Sequence, residues 1–91
     1  MLFKKAKLEK ALMEEIKVLA GVSEFPLEDA KVIAQLVGRY NNSSAIVLLA
    51  MMSAMSVLEK YPNLYENWDN LMKKYKKLGL FPKWDVVLYD D

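Results

Sequence analysis

The stretch that decides the fold is residues 45–58, AIVLLAMMSAMSVL, in which two serines are the only polar residues and no residue is charged. This stretch has 14 residues and is about 21 Å long as an α-helix, whereas a bilayer core requires a helix of roughly 20 residues. A helix that is apolar on all sides is typically buried in the core of a domain. We therefore expect residues 45–58 to form a central buried helix. A helix at a subunit interface and a membrane segment are the alternatives.

Helical periodicity divides the same stretch into two unlike faces. The large, pliable face consists of Leu48, Met51, Met52, Met55 and Leu58. The small face consists of Ala50, Ser53, Ala54 and Val57. Small side chains allow a neighbouring helix to approach closely, and methionine side chains fill irregular gaps. Both faces are therefore compatible with packing inside a helical domain.

Composition limits the class of protein. A chain of 91 residues is long enough for one domain, and it contains neither cysteine nor histidine. A disulfide framework and a thiolate metal site are therefore ruled out, and the commonest general base and zinc ligand are missing. The sequence contains no phosphate-binding loop, nucleophile elbow or calcium loop. We expect a protein that is not an enzyme and that uses no cofactor or metal.

Three further helices are predicted around residues 45–58. The first runs from about Leu2 to Ala20 and stops at Gly21, and the second begins at Pro26 and ends before the polar stretch 41–44. The last begins near Asn63, follows an apolar stripe at helical spacing and ends at Gly79. The prediction is an all-α domain, a mostly antiparallel four-helix bundle around the apolar third helix.

The C-terminal segment, residues 80–91, differs from the helical domain of residues 1–79. Its sequence LFPKWDVVLYDD is rich in β-branched and aromatic residues, but the chain offers no second strand. Three outcomes are open: the tail packs on the bundle, it binds another protein as a strand or anchored peptide, or it is disordered. If it binds a partner, the contact residues are Phe81, Trp84, Val87 and Tyr89.

Lysines are concentrated near both ends of the chain, although the net charge is only +1. The N-terminal group is Lys4, Lys5, Lys7 and Lys10, and the second group is Lys73, Lys74, Lys76 and Lys77. Seven of the ten aromatic residues lie between Tyr61 and Tyr89, near the second group. Lysines interleaved with aromatic residues are typical of proteins that bind single-stranded nucleic acid. Solvated helix faces are the simpler interpretation of both groups.

Two functions therefore remain for comparison with the structure. The first is a non-enzymatic protein-interaction module, an accessory subunit or adaptor of a larger assembly. It binds a protein partner, in a homo- or hetero-oligomer, through the tail and the methionine face of the third helix. The second is a nucleic-acid-contacting subunit of a nucleoprotein complex, in which the two lysine groups meet phosphates. The N-terminal sequence lacks the apolar core of a signal peptide. A cytoplasmic protein with no membrane partner is therefore expected.

Overall fold

The computed structural model of the chain describes residues 2–83, with side chains from residue 5 to residue 82. These residues form helices α1 (Leu2–Ala20), α2 (Leu27–Arg39), α3 (Ser44–Ser53), α4 (Met55–Leu58) and α5 (Pro62–Lys77), followed by a 3-10 turn (Phe81–Lys83). They contain no strand, so the prediction of an all-helical domain is confirmed. The four-helix bundle is not confirmed, because the predicted third helix is two helices.

Two glycines end the longest helices as the sequence predicts. Gly21 has φ 75° and Gly79 has φ 93°, a left-handed conformation that glycine adopts without the steric cost of a β-carbon. After α5, the Leu80 amide donates to the Tyr75 carbonyl at 3.1 Å and the Gly79 amide donates to the Lys76 carbonyl at 2.9 Å. This pair of bonds is a Schellman motif. The same pattern closes α1 through Gly21 and the residue after it.

Helices α1 and α5 pack against each other in antiparallel directions. Glu15 of α1 contacts Lys74 and Tyr75, near the C-terminal end of α5. One turn further along α1, Leu19 lies beside Asn67 and Leu71, which come earlier in α5. The start of α1 and the end of α5 therefore lie at the same end of the helix pair.

The core is assembled from one apolar stripe on each of the longer helices. The stripe of α5 begins at Leu64 and passes through Trp68, Met72 and Tyr75, each at most 3% exposed. The largest fully buried side chains come from α1, α2, α4 and α5, and none comes from α3: they are Leu12, Ile16, Ile33, Val37, Leu58, Leu64 and Met72. The predicted stripe of α5 is confirmed except at its end, where Leu78 is 44% exposed.

Helix α3 lies on the surface, so the prediction of a central buried helix is wrong for residues 44–53. None of its residues is buried, and it packs on α2 through one side only. The helical run is interrupted at Ala54, whose φ of −95° and ψ of 1° leave the helical region. Beyond this break, Val57 and Leu58 of α4 enter the core. An all-apolar sequence carries no signal for which of its faces turns inward, and the other helices already fill the core.

The first residues of the predicted tail pack on the helices. Leu80 and Phe81 are each 3% exposed. The Phe81 ring lies 5.6 Å from the Tyr40 ring, and the Phe81 carbonyl accepts a hydrogen bond of 2.7 Å from the Asn41 side-chain amide. Phe81 therefore belongs to the core rather than to a surface open to a partner. The other three predicted partner-binding residues lie outside the described residues: Trp84, Val87 and Tyr89.

Within residues 2–83, no helix combines the length and the apolar character that crossing a membrane requires.

Candidate interaction surface

The most unusual surface of the described structure is the solvent-facing side of α3. Leu48, Leu49 and Met52 are 61%, 62% and 62% exposed, and with the exposed Ala45 they recur at spacings of three and four residues. This spacing places all four on one face of the helix. We call Ala45, Leu48, Leu49 and Met52 the outer stripe. Ile46, 43% exposed, borders it on the side toward α2.

The opposite side of α3 attaches the helix to the domain. Val47, Ala50 and Met51 are half-buried, and Ala54, at the end of the helix, is 3% exposed. Ala50 and Met51 pack against the main core. The helix therefore has two sides: Val47, Ala50 and Met51 face the domain, and the outer stripe faces solvent.

Local bonds define both ends of α3. The Ser43 hydroxyl caps the first turn by accepting from the Ile46 amide at 3.5 Å, as the sequence predicts for a serine at this position. The Ser53 hydroxyl donates to the Leu49 carbonyl at 2.9 Å, so its hydrogen-bond partner lies within the same helix. Just before the helix, Asn41 is tied to the Phe81 carbonyl. The outer stripe is thus held on a helix with defined ends rather than on a loose segment.

A groove of about 290 Å³ runs between α2 and α3, beside the outer stripe. Its walls are Val32, Gln35, Leu36 and Arg39 from one side, and Ile46, Leu49, Ala50, Ser53 and Ala54 from the other. Arg39 is the only charged residue among them, and its guanidinium donates to the Gln35 carbonyl at 3.4 Å. The groove and the outer stripe share Leu49, so they form one continuous apolar surface.

Apart from Arg39 at the groove, this surface carries no charge. The chain carries no charged residue from Tyr40 to Leu58, which includes the whole of α3. Exposed helix faces of globular domains normally carry charged or polar side chains. Chemically, the outer stripe offers apolar contact and shape, and it has no group that transfers a proton.

Two carboxylates, the buried Asp29 and the half-buried Glu15, join helices of the domain, and sequence reasoning missed both roles. Asp29 of α2 is 3% exposed and accepts from the Tyr61 hydroxyl at 2.6 Å and from the Lys60 ammonium at 3.2 Å. The Tyr61 hydrogen bond lowers the pKa of Asp29 below its usual range against the opposing effect of burial, and Lys60 adds to the lowering. Burial and the Asp29 contact raise the pKa of Tyr61 to about 12.

The second carboxylate, Glu15, joins α1 to α5 in a similar way. It accepts from the Tyr75 hydroxyl and, at 2.9 Å, from the Lys74 ammonium. Burial pushes its pKa up, but the hydrogen bonds from Tyr75 and Lys74 outweigh this effect and the pKa of Glu15 is lowered. Burial and the Glu15 contact raise the pKa of Tyr75. In each cluster the tyrosine and lysine are adjacent in sequence, but the acid is distant, so no local pattern reveals the pairing.

The structure places the predicted phosphate-contacting lysines at one end of the α1–α5 pair. Lys5, Lys7 and Lys10 are exposed on α1, and the side chain of Lys4 lies outside the described part of the chain. On α5, Lys73 pairs with Asp69 at 2.7 Å, a spacing of four residues that favours ion pairs on a helix, and Lys74 pairs with Glu15 at 2.9 Å. Lys76 and Lys77 are exposed beside them. The second lysine group is therefore partly neutralised.

The methionine face predicted from the sequence is only partly exposed. Leu48 and Met52 are accessible, Met51 and Met55 are half-buried, and Leu58 is fully buried. Leu49 was not among the predicted contact residues, although it lies at the centre of the exposed surface. Among residues 2–83, no three acidic side chains come together in a group that could hold a metal ion.

Comparison with known proteins adds no family to this description: no protein-family model, no curated protein and no solved structure matches the chain.

Proposed function

We propose that the protein is a non-enzymatic interaction module, an accessory subunit or adaptor, that binds a protein partner through the outer stripe of α3. One observation carries the proposal: the most apolar helix of the chain contributes no buried residue to the core and turns three large side chains toward solvent. Contiguous exposed apolar patches on a folded domain mark sites of protein interaction.

The energetic argument follows from the exposed fractions. Fully burying a leucine or methionine side chain is worth about 1.5–3 kcal/mol, so covering Leu48, Leu49 and Met52, each just over 60% exposed, returns about 1–2 kcal/mol per residue. The core of the described residues is complete without these side chains, so they are not needed to hold the fold. A partner surface that covers the stripe gains this free energy directly.

A photo-crosslinking residue placed at Leu49 tests the proposal in cells that express the protein. The matched control carries the same residue at Tyr65, which is 43% exposed on α5 and away from α3. We expect a discrete cross-linked species from position 49 that is missing from position 65. Equal labelling at both positions, or none at position 49, contradicts a binding surface on α3.

Of the four tail residues predicted to contact a partner, Trp84, Val87 and Tyr89 remain candidates, because Phe81 packs against Tyr40. A chain that ends after residue 83 keeps the Phe81 contact and removes these three residues. If the tail adds to partner binding, this chain retains its helical content and cross-links less efficiently from position 49. An unchanged cross-link leaves α3 as the whole interface.

Contact with nucleic acid is the second candidate, and one observation favours it. Because α1 and α5 are antiparallel, the first turns of α1 and the last turns of α5, which carry the two lysine groups, lie toward the same end of the helix pair. Against it, Lys73 and Lys74 already pair with Asp69 and Glu15. Binding to labelled single-stranded DNA and RNA across a salt series tests this function. Affinity that falls steeply with salt and is lost on replacing Lys76 and Lys77 by glutamine supports phosphate contact.

A further inference from the structure

We infer that the partner of the outer stripe is a second copy of this chain, bound across a two-fold axis with the two α3 helices antiparallel. The inference rests on the proposed function and deepens it by naming the partner. It is carried by the spacing, the side-chain sizes and the missing charge of the stripe itself.

The outer stripe is symmetric about the midpoint between Leu48 and Leu49. In an antiparallel helix pair centred on that midpoint, Leu48 of one copy faces Leu49 of the other. Ala45, three residues before Leu48, then faces Met52, three residues after Leu49. A two-fold interface requires this reciprocity, in which a residue contacts a second residue and the second contacts the first.

The sizes of the facing side chains also match. The smallest member of the stripe, Ala45, lies opposite the long, flexible Met52, and two leucines of equal size meet at the centre. Alternating small and large side chains across a helix interface lets the two surfaces interdigitate. Beyond the stripe, the exposed Ser44 would face the exposed Ser53, so the ends of the contact are small and polar.

A surface that meets its own copy must not repel itself. Like charges placed opposite each other at an interface cost several kcal/mol, so a charged patch is a poor candidate for two-fold pairing. The outer stripe passes this condition because no residue from Tyr40 to Leu58 is charged. A second copy is the occupant that these properties fit best.

The exposed area predicts a weak dimer. Ile46, Leu48, Leu49 and Met52 are 43–62% exposed, which corresponds to on the order of 400 Å² of apolar surface per copy. A standard-size interface takes about 800 Å² from each partner, and interfaces of that size reach micromolar or tighter affinity. This smaller contact therefore has a dissociation constant above about 1 μM.

Sedimentation velocity of the purified full-length chain, from about 5 μM to about 1 mM, tests the inference. The wild-type protein should shift from monomer to dimer as concentration rises. Leu49→Glu places a carboxylate at the centre of the contact in both copies, and it should raise the dissociation constant at least about tenfold. Val18→Glu is the matched control, since Val18 is an apolar residue of α1 that is 77% exposed, and it should leave the dimer unchanged.

The double variant Leu48→Lys/Leu49→Glu checks the antiparallel register. In the inferred pair, each introduced lysine faces an introduced glutamate of the other copy, so the double variant should dimerise more strongly than Leu49→Glu alone and lose this gain at high salt. Circular dichroism confirms that each variant keeps its helical content. Leu49→Gln serves in place of Leu49→Glu if the latter does not fold.

Three results overturn the inference. A wild-type chain that stays monomeric throughout the series has no such dimer, and a dimer that Leu49→Glu leaves intact uses another face. If a chain ending at residue 83 dimerises and the full chain does not, then the chain's own tail occupies the stripe. In each case the cross-link from Leu49 decides the proposed function separately, because a cross-linked species whose mass differs from that of two copies of this chain identifies a different partner protein.

Discussion

Replacing Asp29 by alanine should be among the most damaging single changes in the domain. The carboxylate is 3% exposed and accepts hydrogen bonds from the Tyr61 hydroxyl at 2.6 Å and from Lys60 at 3.2 Å. Alanine leaves the hydroxyl of Tyr61, which is itself 7% exposed, without its acceptor, at a cost of about 1–3 kcal/mol. With the loss of a charge-assisted bond, we expect the free energy of unfolding to fall by about 2–4 kcal/mol.

The assay is urea denaturation followed by far-ultraviolet circular dichroism, with Glu28→Ala as the control. Glu28 is the neighbouring acid in the first turn of α2, but it is exposed, so its replacement should change stability by less than about 0.5 kcal/mol. A drop of that small size for Asp29→Ala would refute the reasoning, because the buried hydrogen bonds would then contribute almost nothing.

A double-mutant cycle with Tyr61→Phe isolates the hydrogen bond between the two side chains. Phenylalanine keeps the ring that meets Phe25 edge-on at a centroid distance of 5.3 Å, and removes only the hydroxyl. Once this hydroxyl is gone, Asp29→Ala should cost about 1–2 kcal/mol less than in the wild-type chain. Strictly additive effects would show that the two groups stabilise the domain independently.

Two further predictions concern pH and glycine. Because the pKa of Asp29 is lowered on folding, the stability that this carboxylate contributes is present above its unfolded pKa of about 4 and is lost as pH falls through its folded pKa. Urea midpoints should therefore fall with pH in the acid range, and Asp29→Ala should reduce this dependence on pH. Tyr61 has the opposite sign: its stabilisation is complete below pH 10 and is lost as pH rises toward about 12, and Tyr61→Phe should abolish that loss. Gly79→Ala should lower thermal stability by about 1–2 kcal/mol because φ is 93° there, whereas Gly38→Ala, in a helix with open space around the new β-carbon, should raise it by up to about 1 kcal/mol. Thermal melts that move both glycine variants in the same direction would contradict this contrast.

The parts of the fold that the sequence predicts are those with local signals. Gly21 and Gly79 end their helices because few other residues adopt a left-handed conformation without strain. The buried stripe of α5 is visible because polar residues separate its members, so the inward face is distinguishable from the outward one. In the same way the polar residues of α2, at spacings of three and four, mark the side that faces solvent.

The parts that could not be predicted depend on contacts distant in sequence. Residues 45–58 are apolar on every side, so their pattern does not indicate which face is buried. The buried side chains of α1, α2 and α5 occupy the core, and α3 lies on the surface. The helix break at Ala54 contains no glycine or proline, so the sequence gives no local signal for it. Asp29 looks from the sequence like an ordinary acid in a first helical turn, and its burial depends on Tyr61, 32 residues away.

The outer stripe is nevertheless present in the sequence, because Leu48 and Leu49 follow Ala45 by three and four residues and Met52 follows Leu49 by three. The inward residues of the same helix follow an equivalent spacing, so either set satisfies the requirement for a buried face. Only the packing of the remaining helices, which is not visible in this stretch, determines which set is buried.

The measurement that tests the central claim most directly is the unfolding free energy of Leu49→Gln beside that of Leu58→Ala, at a concentration low enough to keep the chain monomeric. Leu49 is 62% exposed and Leu58 is fully buried, although both belong to the same apolar stretch. The account predicts a change of less than about 0.5 kcal/mol for Leu49→Gln and a loss of about 2–5 kcal/mol for Leu58→Ala. A loss of 2 kcal/mol or more for Leu49→Gln, on the scale expected for Leu58→Ala, would mean that α3 is part of the core and that its outer stripe is not free to bind a partner.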